Sequence, residues 1–182
     1  MIKISKKHFI NFAFALLIGL LIFPPTKIYF IRLFSFSPAV EDRQSQKKLK
    51  DLNWHLEGLN TKSVNLKNLN QKVVFVSFWA TWCPPCVAEM PSMKAVYDDY
   101  KEDVVFLFIT NENWNTVAQF YDRNDYSLPT YNERSQTPKE LAHSSIPTTY
   151  ILSRDKYIVV DEIGAANWNS NTVRKLLDTL IK

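Results

Sequence analysis

The stretch Val73-Val74-Phe75-Val76-Ser77-Phe78-Trp79-Ala80-Thr81-Trp82-Cys83-Pro84-Pro85-Cys86 decides the reading of this chain. Apart from Ser77, its first seven residues are β-branched or aromatic, as expected of a buried strand. After it, Cys86, Met90, Met93, Tyr97 and Tyr100 recur at helical spacing and give one apolar face. The cysteines therefore lie where a buried strand ends and a helix begins. Pro84 and Pro85 suit a first helical turn, where a missing N–H leaves no bond unmade.

The 182-residue sequence holds only these two cysteines. A bridge between them closes a tiny loop, so its chain-entropy benefit is small. The pair reads as chemistry rather than scaffolding. A helix N-terminus carries partial positive charge and unpaired N–H groups, which favour a thiolate at Cys83. The thiolate is the nucleophile of disulfide exchange, and Cys86, one turn on, is placed to resolve the mixed disulfide. Structural zinc takes four ligands; there is no second pair of this spacing, and nothing in the positions of His55 and His143 recommends them, so no metal is expected. The net charge of +4 is mild and scattered, which argues against nucleic acid as a partner.

Residues Phe78 to Cys86 closely resemble the active-site stretch of the thioredoxin superfamily. Within it, residues 49–182 look most like the membrane-anchored TlpA/ResA-type thiol-disulfide oxidoreductases. The resemblance implies an α/β, thioredoxin-like fold: a central mixed sheet with flanking helices, an N-terminal β-hairpin and a central insertion, preceded by an N-terminal transmembrane helix.

The residues ahead of the domain fit that plan. Lys3, Lys6 and Lys7 precede an uncharged run from Phe9 to Phe23, and a second apolar patch, Ile28 to Phe36, is broken only by Arg32. The run is short for a span, which needs roughly 17–25 residues. No small-residue cleavage site follows Phe23, so an uncleaved anchor over 1–36 is expected rather than a signal peptide. The leading lysines favour a cytoplasmic N-terminus with the rest outside. Residues 37–48 are polar and read as a tether, and 49–182 as the domain.

Within the domain, Trp54 to Leu66 suggests the hairpin, Val104 to Ile109 a neighbouring parallel strand, and Trp114 to Tyr121 a short amphipathic helix. Leu128 to Tyr131 is a candidate strand of the insertion. Thr148–Leu152 and Tyr157–Val160 flank a hairpin turn, and Val173 to Leu180 forms a closing helix. Pro91 falls inside the helix after the cysteines and is expected to kink it.

The resemblance assigns further roles. Glu89, three residues past Cys86, matches a glutamate that exchanges protons with the cysteine pair; burial would raise its pKa toward neutrality. Ile146-Pro147 resembles the cis-proline loop that faces the cysteines, where the Ile146 backbone could pair with substrate as an added strand does. Trp82, Pro84, Pro85, Ile146 and Pro147 form the expected substrate-contact surface, and Gly164 keeps the neighbouring surface open. Trp79 is expected to pack beneath the loop. Thioredoxins proper keep a buried aspartate where this chain has Ser77, so acid–base work passes to Glu89 or water.

The expected function is a protein disulfide reductase, tethered by a single pass to the cell membrane, with its catalytic domain on the periplasmic or extracytoplasmic side. Its redox group is the Cys83–Cys86 disulfide, with no further cofactor. The implied partners are client proteins with disulfides, such as apocytochrome c; a membrane electron donor of DsbD/CcdA type; and the lipid bilayer. Two other chemistries use this fold. Sco-like copper delivery needs a C-x-x-x-C pair and a distant histidine, which the two-residue spacing disfavours. Peroxidases need Thr-x-x-Cys, and Cys83 has Ala80 at that position.

Overall fold

The computed structural model describes residues 7, 10–12, 14, 18, 19 and 24–182. Seven strands form one sheet: β1 (His55–Gly58), β2 (Val64–Asn65), β3 (Val73–Phe78), β4 (Val104–Ile109), β5 (Thr130–Glu133), β6 (Thr148–Leu152) and β7 (Ile158–Ile163). Their order is β2-β1-β5-β4-β3-β6-β7. β3 runs parallel to β4, from Val73 opposite Val104 to Phe78 opposite Ile109, and antiparallel to β6. The sheet is therefore mixed. It is accompanied by the α-helices α1 (Pro24–Leu33), α2 (Pro84–Tyr100), α3 (Trp114–Asn124) and α4 (Asn171–Leu180).

Every residue of β3 is buried, and its side chains alternate between two cores. Val73 and Phe75 point to one core, shared with Met90 and Met93 of α2, Val117 and Tyr121 of α3, and Leu177 of α4. Val74, Val76 and Phe78 point to the other, closed by Leu49, Trp54, Leu66 and Leu141 from the N-terminal segment and from loops. Phe75 anchors the first core, with its ring 5.2 Å from Phe106 and edge-on to Trp168 at 5.0 Å.

The sequence-expected elements form, with shifts that have local causes. The insertion strand starts at Thr130 rather than Leu128, because Pro129 has no N–H to give a ladder; Leu128 is buried just before it. Pro91 sits inside α2 without ending it. The hairpin of β1 and β2 forms and joins the main sheet through β5.

The segment 37–48, expected to be a free tether, lies instead along β7. Glu41 N–H donates to Val159 O, and Ile158 N–H donates to Lys47 O, both at 2.9 Å. Leu49 N–H donates to Lys156 O at 3.0 Å. An edge strand offers unpaired backbone groups, and a polar segment can satisfy them even when it has little to bury. Before it, α1 packs on α2: the Arg32 guanidinium donates from Nε to Ala88 O at 3.2 Å, and Asn167 N–H reaches Phe36 O at 2.8 Å. The apolar run expected to span a membrane, Phe9 to Phe23, falls largely outside the described residues. Among the described residues, no helix is long and apolar enough to cross a membrane.

Phe75→Ala empties the centre of the first core, and urea unfolding should show a loss of about 3–5 kcal/mol. A loss below about 1 kcal/mol would mean that the site collapses freely and that Phe75 is not its anchor.

Candidate active site

α2 begins where β3 releases the chain. Trp79 N–H still bonds Ile109 O, and the next turn closes through Cys83 N–H to Ala80 O at 3.2 Å. Cys83 is the N-cap of α2, with extended backbone (φ −91°, ψ 103°) and Pro84 and Pro85 directly after it. Its Sγ accepts one helix N–H, from Cys86 at 3.3 Å. Pro85, two residues after the cap, has no N–H, so the other donor position open to such a cap is empty.

Cys83 and Cys86 form a disulfide, with their Cα atoms 5.3 Å apart. In the oxidised pair both are buried, at 3% and 1%, so the difference in access is slight. The Ile146–Pro147 bond is cis, and Ile146 O lies 3.7 Å from Cys83 Sγ. Pairing of Phe78 with Thr148 places that loop beside the end of β3. Gly164 N–H bonds Pro147 O at 2.9 Å; at φ +101°, with nothing near a Cβ position, the glycine leaves this flank open.

The two tryptophans differ in burial. Trp79 is buried and stacks on Tyr121, ring centroids 5.7 Å apart. Trp82 is 71% exposed beside the cysteines. Ser77 is buried and accepts a hydrogen bond from the Thr149 hydroxyl at 3.1 Å, a neutral pair where thioredoxins carry an acid.

Glu89 is buried on the apolar side of α2. Its Oε2 accepts the indole N–H of Trp168 at 2.8 Å and the backbone N–H of Ala166 at 3.0 Å. Its Oε1 is buried with no partner. Burial pushes its pKa up to about 8; the bonds from Ala166 and Trp168 pull the other way, and the charge of Glu162 adds to the rise. A carboxyl poised there can hold or release a proton near neutral pH. Glu89 also lines a cavity of about 280 Å³, together with Arg32, Ala88, Ser92 and Asn167. Sequence reasoning found Glu89 but missed Trp168 and Ala166. They lie 79 and 77 residues away, with no motif that announces them.

Comparison with known proteins agrees with this geometry. The family model described as Redoxin matches residues 44–180. The chain belongs to the Redoxin family. Among relatives, this Redoxin chain is 36% identical to "Thiol-disulfide oxidoreductase ResA" of Halalkalibacterium halodurans, over 62% of the chain and 66% of that protein. It is also 36% identical to the protein of the same name from Oceanobacillus iheyensis, over 53% of the chain and 52% of that relative. The alignments thus span between half and two thirds of these relatives. A DsbF homologue from Corynebacterium diphtheriae superposes with a TM-score of 0.64 at 20% identity, over 79% of this chain and 93% of that one. This likeness places the Redoxin domain in the thioredoxin-like fold.

The raised pKa of Glu89 makes stability depend on pH with a definite sign. Between the usual 4.5 and about 8, the folded chain keeps a proton that the unfolded chain has released. Stability therefore falls as pH rises through that window and levels off above it. By 1.36 kcal/mol per unit, the fall is roughly 3–5 kcal/mol. Glu89→Gln is neutral at every pH, so urea midpoints taken at about pH 5 and about pH 8.5 should differ much less than in wild type. An unchanged slope in the Gln variant would place the titration elsewhere.

Proposed function

We propose that this chain is a membrane-tethered, extracytoplasmic thiol-disulfide oxidoreductase that acts as a protein disulfide reductase. The observation that carries the reading is the Cys83–Cys86 disulfide at the N-terminus of α2, facing the Ile146 backbone and backed by buried Glu89. The relatives named as thiol-disulfide oxidoreductases support it.

In the reduced protein, the Cys83 thiolate attacks one sulfur of a client disulfide. A Cys83–client disulfide forms, and the other client sulfur leaves as a thiolate. Glu89 in its ionised form accepts the proton of Cys86 and afterwards gives it up to solvent. The Cys86 thiolate then attacks Cys83 Sγ, forms the Cys83–Cys86 disulfide and releases the second client thiolate. Two electrons have passed to the client, whose thiolates take up protons. A membrane electron donor of DsbD/CcdA type returns two electrons and reopens the bridge. The client lies extended along Ile146 and Pro147, with Trp82, Pro84 and Pro85 as the adjoining contact surface. The resemblance to TlpA/ResA-type proteins supports apocytochrome c as a client. The three lysines ahead of the Phe9–Phe23 run support an anchor whose domain faces outward.

The prolines set the direction of electron flow. With one N–H donor instead of two, the Cys83 thiolate is less stabilised, and a less stable thiolate makes the disulfide a weaker oxidant. The first test is the reduction potential of the full chain in a glutathione or dithiothreitol buffer. A value toward about −270 mV fits a reductase; one toward about −120 mV would make the protein an oxidant and overturn the reading. Pro85→Ala restores the second donor and should lower the Cys83 titration midpoint by about one pH unit, with a higher potential. Thiol absorbance against pH checks this, and an unmoved midpoint removes the proline argument. Cys86→Ser should hold clients as mixed disulfides, recoverable by reduction.

A further inference from the structure

Two residues before Cys83, the chain makes a contact that the exchange chemistry above does not use. The backbone N–H of Thr81 donates to Glu112 Oε2 at 2.6 Å, and the Thr81 hydroxyl donates to Oε1 at 2.7 Å. Both carboxylate oxygens thus accept from one residue of the active-site loop, and Oε2 also accepts the Thr110 hydroxyl at 3.4 Å. Glu112 follows β4, 31 residues away in sequence, and is itself held. Its N–H donates to Thr110 Oγ1 at 3.3 Å, and its carbonyl accepts Asn132 Nδ2 at 3.2 Å. Asn132 belongs to β5 and also donates to Thr110 O. The loop that carries Trp82 and Cys83 is therefore pinned through Glu112 to two strands of the sheet.

We propose that Glu112 is a positioning residue for disulfide exchange, clamping Thr81 so that Trp82 and Cys83 meet a protein disulfide in register. The proposal rests on the reductase reading. Trp82 is 71% exposed and receives little support from packing. It lines, with Glu112 and Ile146, a depression of about 90 Å³. When the disulfide opens, Cys83 loses its covalent tie to Cys86, whereas the Glu112–Thr81 contact involves no sulfur and persists. The clamp thus keeps the attacking face in place during the half of the cycle that needs it. A charge-assisted pair of bonds to one residue is strong enough for that task, and small misplacements of a reacting group slow reactions steeply.

The test uses the pre-reduced full chain in single turnover against insulin disulfides, and against iodoacetamide as a small reagent that needs only a thiolate. Glu112→Ala should slow insulin reduction about tenfold while alkylation stays within about twofold. Glu112→Gln can still accept from the Thr81 N–H and bond its hydroxyl, so it should recover to within about threefold of wild type. Thr81→Val, which removes the hydroxyl bond alone, should lose about threefold and add nothing further to Glu112→Ala, since both act through one contact. It also serves if Glu112→Ala does not fold. A wild-type insulin rate in Glu112→Ala, equal losses in the Ala and Gln variants, or additive losses with Thr81→Val would each overturn the clamp alone. Wild-type protein that leaves insulin intact would overturn the reductase reading and this proposal with it.

Discussion

A strand buried on both faces must pair every backbone group with another strand, because water is not available to do so. β3 is that strand, and its obligations set the rest of the molecule. β4 on one side and β6 on the other satisfy its ladder. All three strands turn at the same end of the sheet. The chain leaves β3 toward Cys83, arrives at β6 through Ile146-Pro147, and leaves β4 toward Glu112. Three loops distant in sequence therefore meet beside one helix N-terminus without any of them needing to be long.

The acid behind the cysteines is the second constraint. A carboxyl inside a core is tolerated when it is neutral and hydrogen-bonded, and disfavoured when charged. Glu89 meets the first condition through Trp168 and Ala166, which engage Oε2 and leave Oε1 bare. The arrangement works against stability at alkaline pH, so Glu89 is not there to hold the fold, and buried acids of this kind cluster at functional sites. Its location on the helix, with the neutral Ser77–Thr149 pair on the strands, puts the acid one turn beyond the second cysteine.

Much of this was readable in the sequence where neighbouring residues carry the signal. The apolar run, the Cys-Pro-Pro-Cys turn and the helical face after it lie within 28 positions and needed no tertiary information. Glu89 and the cis-proline loop were legible through a family pattern. Trp168, Ala166 and the Glu112–Thr81 contact were not, because each is a pairing across the fold that no local spacing encodes. The segment 37–48 was misjudged for a different reason. Its composition gives it little to bury, yet its backbone found partners on β7, and composition says nothing about backbone bonds.

That same segment has a consequence for how the protein meets its surroundings. A sheet of seven strands has two rims, and a bare rim recruits any extended polypeptide nearby. Here one rim ends in β2, only two residues long, and the start of the other, from Lys156 to Val159, is overlaid by the chain from Glu41 to Leu49. Edges blunted in this way discourage recruitment of stray strands, while the Ile146 carbonyl stays 3.7 Å from Cys83 Sγ. Self-protection against aggregation thus lies at the edges of the sheet, away from the loop that faces the sulfur.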